Sequence, residues 1–573
     1  MNKEFSVHWL EETVDKILNR NPEVITLSTG KTPSGHIHIG ILREIIICDA
    51  LCRIFEDKGK DVKFYLFLDD FDAAKRFPPY IDKRFQDQHI GKPFALVPCP
   101  FEQCGCESYA KHFGNELIST FTDFGIKNEI IWTYNLYKTK EMQEKIKIAL
   151  NNTEKIKKIL RKYILPTLDD DRKKHFIKMQ KTWMPVMALC EKCDKIQFKK
   201  SDGTIKPNRI TTYLEEVEEV LYDCQACGHK GNLSLYSGRL KLNWRIDWPA
   251  KWAIFKTTCE PAGKDHSVKG GAYDTGLEIC QKIFNYIGPI KLPYEWLRLG
   301  DQDMKTSKGI VFTPKDYINI ADPEIFRMLI LRTNPMKHIS LRLEEMPQYY
   351  DYFERMVSLV INEQVESIQD DELAFYNFLY PLTKINEKSQ LNLKIVPYKL
   401  LIFLSQMQNI LSIDKLYDKT KSIIKNNQFE RLISLATFKS LLKRTFNWIK
   451  EVEKIIENDT NEKNKKALLN KVSIFSIPES LDEQVIDKLS GEQIKGILKL
   501  RNYLLENENA SEGDIQNKIF TIAKEELKMP PKKMFEAVYQ VILGKSFGPR
   551  LGPFLALLDR EWVLNRFNVK NYS

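Results

Sequence analysis

Thr29-Gly30-Lys31-Thr32-Pro33-Ser34-Gly35-His36-Ile37-His38-Ile39-Gly40 is the stretch on which the fold turns. Residues 23–27 before it have the apolar, β-branched text of a short buried strand, and residues 41–57 after it read as a helix. A strand, a glycine-bearing turn and a helix start carrying imidazoles aim backbone N–H groups and a positive dipole end at a ligand, which suits phosphate. Residues 61–68 form a second apolar run of strand length and end in Asp69-Asp70-Phe71-Asp72. Strand, helix, strand with short links is a βαβ unit and predicts a parallel sheet, whose ligands sit beyond the carboxyl ends of the strands. The 29–40 loop and the Asp cluster should therefore share one pocket.

A chain of 573 residues is too long for one core and predicts two to four domains. An apolar fraction of 43% with 31 Phe suffices for packed interiors, and no run reaches the ~18–20 apolar residues of a membrane span. The first twenty residues read as a polar amphipathic helix rather than a signal peptide. Eleven Cys without such a signal point to a reducing compartment, where clustered Cys bind metal more often than they form disulfides; a cytoplasmic protein is expected. Residues 138–200 hold 18 Lys/Arg against 8 Asp/Glu, an excess equal to the net +10 of the whole chain. Such a surface neutralises nucleic-acid phosphates or is a solvated helical face, and charge alone does not choose.

The alternation of strand and helix over 1–95 breaks at 96–235, which carries seven of the eleven Cys and basic helical text and reads as an insertion. Sheet-like text resumes over 236–349, with strands expected at 252–255 and 294–299 and a helix at 275–286. From 350 to 573 helical periodicity dominates and predicts an all-α region, divided around the polar stretch 457–466. Phe438, Trp448, Phe535, Tyr539 and Trp562 are expected to pack between its helices. Trp244, Trp248 and Trp252 recur at helical spacing, but Pro249 argues against one unbroken helix; core packing is expected of them rather than base stacking.

Cys190-x2-Cys193 and Cys224-x2-Cys227 are paired knuckles, and four thiolates so spaced close a tetrahedral structural Zn²⁺ site. Their 30-residue spacer exceeds the usual range and predicts a further secondary element inside it. Cys99, Cys104, Cys106 and His112 form a second set of the right number for zinc; three ordinary buried Cys and a surface His are the alternative. Cys48, Cys52, Cys259 and Cys280 show no grouping and are assigned to the core. The Asp69/Asp70/Asp72 cluster can pair a cationic side chain, hold Mg²⁺ or cap the following helix.

Lys305-Thr306-Ser307-Lys308-Gly309 is a cationic loop suited to polyphosphate, and weak evidence by itself. Together with the P-x-G-x-x-H-x-G turn it resembles the paired HIGH and KMSKS signatures of class I aminoacyl-tRNA synthetases. The HIGH positions are His38, Ile39, Gly40 and Ile41, so isoleucine replaces the second histidine, and neighbouring His36 is not assigned its place. An imidazole and helix start facing two ammonium groups suit adenylation, which consists of positioning and of stabilising charge that grows on phosphate. Across nearly the whole chain STGKTPSGHIHIG, FLDDFDAAKR, CESYAKHF, DWPAKW, PAGKDHSVKGGAYDTG and GKSFGPRLGPFLALLDREWV look like the class I lysyl-tRNA synthetase.

That resemblance implies a Rossmann-like α/β catalytic domain with a zinc-bearing insertion that meets the tRNA acceptor stem, followed by an α-helical anticodon-binding region. It implies ATP as substrate, Mg²⁺, one or two structural Zn²⁺, and lysine and tRNA(Lys) as partners; no membrane partner and a monomer are expected. His38, Lys305 and Lys308 would be catalytic, and Pro33, Gly35, His38, Gly40, Lys305, Ser307 and Lys308 would bind ATP. Gly30, Thr32, Asp69, Asp70, Tyr273, Asp265 and His266 would bind the amino acid. In the family the 99–112 segment carries a mixed Asp/Cys/His set, so the ligand types differ here. Three other readings stay open: a glutamate-type class I ligase, which should place basic residues at the side-chain pocket; a non-ligase HxGH nucleotidyltransferase, which should be shorter; and a non-catalytic zinc RNA-binding module, against which Lys305 and Lys308 stand.

Overall fold

The computed structural model describes residues 8–200, 202–361, 370–386, 395–424, 429–472, 474–475, 477–478, 480, 483–548 and 550–569. The chain divides into two compact units, one of residues 1–318, 322–342 and 359–385, the other of 319–321, 343–358 and 386–573.

The first unit is built on a five-stranded parallel sheet of β1 (Ile25–Lys31), β2 (Val62–Leu68), β3 (Glu129–Trp132), β4 (Cys259–Gly263) and β5 (Ile290–Tyr294), ordered β5-β4-β1-β2-β3. The chain begins in the middle, runs outward to β3, then returns to fill the other side. This is the Rossmann order, and its switch point at β1/β4 is where a ligand crevice opens. β1 runs on through Thr29, Gly30 and Lys31, expected as loop, because β2 offers them partners in register: Thr29 pairs with Leu66, Gly30 with Phe67 and Lys31 with Leu68.

Helix α1 (Leu42–Asp57) follows the turn and is buried on nearly every side, its charged Arg43, Glu44 and Asp49 included. Buried charges need partners. Arg43 donates to the carbonyls of Glu295, Trp296, Pro335 and Lys337, and Asp49 pairs with Arg327 at 2.6 Å.

Four expectations are corrected. Residues 252–255 are not a strand but the last turn of helix α2 (Trp244–Phe255), since a short apolar run reads alike as buried strand or buried helix. Pro249 lies inside that helix, removing one backbone donor in its second turn without ending it. The strand expected at 294–299 splits at Glu295-Trp296: Tyr294 ends β5, while Leu297–Leu299 pairs in parallel with Ile339–Leu341. The expected insertion 96–235 contains β3, which pairs with β2 and so belongs to the sheet. The helix expected at 275–286 is α3 (Ala272–Phe284).

After β3 come the helices Lys140–Asn151, Thr153–Ile164 and Asp170–Gln180, then small antiparallel sheets over 186–242 that carry the four Cys of the paired knuckles. The spacer between the knuckles holds the strands Gln197–Lys199, Ile205–Pro207, Arg209–Leu214 and Glu219–Asp223, as its length predicted.

The second unit has no strand among its described residues. Its longest helix, Leu435–Asn458, buries Phe438 and Trp448, and the Trp448 indole donates to the Leu343 carbonyl at 2.7 Å. Tyr350 stacks on Tyr398 with ring centroids 3.6 Å apart. The polar stretch 457–466 falls at the break between that helix and Glu462–Val472.

Candidate active site

A cleft of about 740 Å³ opens at the carboxyl ends of β1, β2, β4 and β5. The turn after β1 forms one wall. Gly35 has φ +153°, and a Cβ there would stand 2.6 Å from Pro78 Cγ and Tyr80 Oη, so only glycine fits. His38 caps the following turn: its Nδ1 accepts from the Gly40 N–H at 3.2 Å, an approach a Cβ on Gly40 would obstruct at 2.8 Å. With Nδ1 accepting, the proton of the neutral ring sits on Nε2 as a donor. Burial, with the Lys31 ammonium adding to it, lowers the His38 pKa to about 3. His38 therefore offers the cleft a neutral N–H, not a cation.

The loop with Lys305 faces this turn. Thr306 Oγ1 donates to the His36 carbonyl at 3.1 Å, and the Ile39 N–H donates to the Phe312 carbonyl at 2.7 Å. Lys305 lines the cleft beside Met304. Lys308, at the end of a short 3₁₀ turn, is exposed and does not line it, and the side chain of Ser307 lies outside the described residues. His36 is held elsewhere, its Nδ1 2.7 Å from Glu116 Oε2 and its ring edge-on to Phe113. Ile41 lines the cleft, so no second imidazole enters there.

The floor is a network of carboxylates and ammonium groups, with Lys241, Asp247 and Lys251 buried and Asp69 and Asp72 half-buried. Lys251 Nζ donates to Asp69 Oδ1 and lies 2.7 Å from Asp247 Oδ2, while Lys241 Nζ lies 3.0 Å from Asp72 Oδ1 and Thr32 Oγ1 donates to Asp72 Oδ2 at 2.9 Å. Tyr137 Oη donates to Asp247 Oδ1. Three carboxylates face two ammonium groups, leaving one negative charge in excess. Burial raises the Asp69 pKa to about 6 against the opposing pull of Lys251. Burial works on Asp72 too, but Lys241 holds it below the usual range. Lys251 is raised despite its burial, by Asp247 and Asp69.

Two further carboxylates reach the cleft from the sheet and from α1. Glu260 on β4 accepts from the indoles of Trp248 and Trp252, at 2.6 and 2.8 Å, and from Ser28 Oγ; burial raises its pKa to about 7. Glu44 is 6% exposed, accepts from Tyr294 Oη, and is raised by burial against the Thr29 and Tyr294 hydroxyls and the Lys31 ammonium. Sequence reasoning missed both. The signal was there: a lone acid in the run Ile41–Cys48 and another in Cys259-Glu260-Pro261-Ala262 each place a carboxylate in buried text.

Of the residues implied by the resemblance, Gly30, Thr32, His38, Gly40, Asp69, Asp265, His266 and Lys305 line this cleft. Others do not. Asp70 turns away and caps residues 133–136, its Oδ1 accepting from the Thr133 hydroxyl and the Tyr134 N–H at 3.1 and 2.7 Å. Tyr273 is fully buried, donating to the carbonyls of Glu260 and Ile290. Pro33 and Gly35 shape the turn from behind. The Trp expectation holds for Trp252 alone, which is fully buried; Trp244 and Trp248 form a cleft wall with His266, at ring distances of 5.8 and 5.9 Å, because the first turn of α2 projects past the sheet.

The paired knuckles converge. Cys190 Sγ lies 3.7 Å from Cys227 Sγ and Cys193 Sγ 3.7 Å from Cys224 Sγ, with all four within 4.8 Å of one another. A tetrahedron with Zn–S of about 2.3 Å has S···S edges of about 3.8 Å, so the thiols fit a closed zinc site. In the second set Cys99, Cys104 and His112 lie within 4.8 Å of one another; Cys106 falls outside that group, although it is 2.9 Å from Cys104. The hydrogen bonds of Cys106 and His112 lower the Cys104 thiol to about 6.

The sequence matches the family described as tRNA synthetases class I (K) over residues 7–379. The chain belongs to that family. A Lysine--tRNA ligase of Methanocaldococcus jannaschii is 34% identical over 98% of this chain and 100% of its own, and one of Methanococcus maripaludis is 34% identical over the same shares. The structure of a glutamate tRNA ligase from Elizabethkingia meningosepticum in complex with its amino acid matches with a TM-score of 0.40 at 12% identity, over 95% of this chain and 99% of that one. No helix among the described residues of this synthetase is long and apolar enough to cross a membrane.

Proposed function

We propose that the chain is a lysine–tRNA ligase, on the observation that named lysine–tRNA ligases match it over their full length. The reaction has two steps. A lysine carboxylate oxygen attacks the α-phosphorus of ATP and the bond to the β-phosphate breaks, releasing pyrophosphate. A hydroxyl of the terminal tRNA adenosine, the 2′-OH as is usual in class I, then attacks the lysyl carbonyl, and AMP leaves.

The cleft assigns roles to this chain's residues. The His38 Nε2–H and the helix start at Gly40 face the phosphates of ATP, whose negative charge Mg²⁺ would also offset when bound. Lys305 stabilises the charge growing on pyrophosphate, and Lys308, on the same loop, approaches when the loop closes over ATP. Among the other cleft carboxylates, half-buried Asp72 and buried Asp247 are bonded on both oxygens and Glu260 is enclosed by two indoles and a serine. Glu44, deep in the cleft, with the Tyr294 hydroxyl donating to Oε2 and the Thr29 hydroxyl and Lys31 ammonium also favouring its charge, is the acceptor for the lysine ε-ammonium. Trp244 and Trp248 pack the aliphatic chain. Zinc, held by Cys190, Cys193, Cys224 and Cys227, fixes the fold of the small sheets.

The test is charging: the purified chain, ATP, Mg²⁺ and labelled lysine should esterify lysine to the matching tRNA and not to a tRNA of another anticodon. Absence of lysyl-tRNA with active, zinc-loaded protein would overturn the reading.

A further inference from the structure

Two imidazoles stand two residues apart in the turn after β1, and only that of His38 lines the cleft. They hold their protons on opposite nitrogens. His38 Nδ1 accepts from the Gly40 N–H, whereas His36 Nδ1, 2.7 Å from a carboxylate oxygen of Glu116, must donate to it. Nε2 of a neutral His36 is then an acceptor and cannot offer phosphate what His38 offers. The second imidazole does other work.

His36 is bonded at three points, each to a different segment. Its N–H donates to Tyr80 Oη at 2.8 Å, its ring to Glu116 on the helix Tyr109–Ile118, and its carbonyl accepts from Thr306 Oγ1 at 3.1 Å. The ring also packs against Tyr80 and Phe113, at centroid distances of 4.9 and 5.1 Å. Thr306 is buried, so its hydroxyl needs that acceptor, and it is the neighbour of Lys305. The Lys305 loop leans on the same support further along: a Cβ on Gly309 would meet Pro79 Cδ at 3.4 Å and Tyr80 Cδ1 at 3.7 Å. The Lys305 N–H donates to the Ile310 carbonyl at 2.8 Å and closes the base of the loop. That base is therefore held through His36, while Lys308 stays exposed.

We infer that Glu116 is a positioning residue for adenylate formation: through His36 it fixes the carbonyl that holds Thr306, and so the place from which Lys305 meets the pyrophosphate; this rests on the lysine–tRNA ligase reading. The direction of the His36 carbonyl is set by the backbone around it, which the ring bond to Glu116 and the N–H bond to Tyr80 hold from two sides. With the ring released the peptide turns, Thr306 loses its acceptor and Lys305 its fixed base. A cation facing charge that grows in the transition state loses most of its effect when displaced by about 1 Å, whereas binding of the amino acid elsewhere in the cleft does not depend on it. Glu116 forms no other salt bridge among the described residues. The two side chains are 33% and 26% exposed, so the pair adds little to stability and its loss should show in the geometry of the site.

The experiment is single-turnover release of pyrophosphate by the full-length zinc-loaded protein with ATP, Mg²⁺, lysine and the matching tRNA, read as the maximal rate and the lysine concentration at half that rate, beside the melting temperature. Glu116→Ala should lower the maximal rate by about 10-fold or more and leave the half-saturating lysine concentration within about 2-fold and the melting temperature nearly unchanged. Glu116→Gln, whose amide oxygen still accepts from the His36 Nδ1–H, should bring the rate back to within about 3-fold of wild type. Thr306→Val, which deletes the hydroxyl and keeps the shape, should cost about as much as Glu116→Ala, and the two together should lose no more than about 3-fold beyond either alone, because they cut one line of contacts at two points. It also covers the case in which Glu116→Ala does not fold. An unchanged rate in Glu116→Ala, full multiplication of the two losses, or a loss of rate matched by losses in lysine affinity and melting temperature would overturn the proposal. No lysine-dependent pyrophosphate release by wild type would overturn the ligase reading itself.

Discussion

Glu44→Gln removes a charge while keeping the shape and the hydrogen bond from Tyr294, so it isolates what the carboxylate does for the substrate. Glu44 sits 6% exposed in the first turn of α1, with Tyr294 donating to Oε2, the Thr29 hydroxyl and the Lys31 ammonium favouring its charge, and no salt bridge among the described residues. Stripping one partner from a buried pair of charges costs about 3–5 kcal/mol. Burial already raises the Glu44 pKa, which means the unliganded site holds its charge at a cost, so the lower end of that range applies. About 3 kcal/mol is roughly a 150-fold rise in the KM for lysine. Lysine-dependent ATP–pyrophosphate exchange measures it, with kcat at saturating lysine falling far less, because the reacting carboxylate and ATP are untouched. The same variant should lose its preference for lysine over norleucine. A KM within about 5-fold of wild type would refute the assignment, since no desolvated ion pair is worth so little.

Lys305→Ala should depress the rate of adenylate formation by about 100-fold or more while leaving the KM for lysine within a few-fold; Lys308→Ala should act in the same direction, and near-normal exchange in both would remove the loop from the mechanism. Cys193→Ser should cost the protein one zinc by metal analysis and lower its melting temperature, because three thiolates leave the tetrahedron open; an unchanged zinc content would place the metal elsewhere. Glu260 has a folded pKa of about 7 against an ordinary 4.5, so its ionised form opposes folding above about pH 7, and this cost, up to roughly 3 kcal/mol, disappears as pH falls towards 4.5. Glu260→Gln should therefore flatten the loss of melting temperature between pH 5.5 and 8.5, and an identical slope in variant and wild type would contradict the buried acid.

The sheet and its ligand-bearing edge were legible because the residues that make them are local: the turn Thr29–Gly40 and the strand ending at Leu68 carry their own patterns. The knuckle cysteines were legible for a similar reason, thiolate spacing being a short-range signal. Edges were not. Whether Ala253-Ile254-Phe255 is strand or helix depends on what covers it, and β3 is a four-residue strand whose only sheet partner among the described residues is β2, with Glu129 set against Tyr65. The Asp cluster shows the limit most clearly. Asp69, Asp70 and Asp72 look equivalent in sequence, yet one caps a helix, one is neutralised by Lys241, and one keeps an oxygen open; the difference lies in Thr133, Tyr134, Lys241 and Lys251, which only the fold brings near. Glu44 and Glu260 escaped notice because sequence text does not say which buried acid faces a cavity.

Pyrophosphate exchange across the twenty amino acids, with and without tRNA, tests the central claim most directly. Lysine alone should support exchange; exchange driven by glutamate or another amino acid, or by none under either condition, would contradict it.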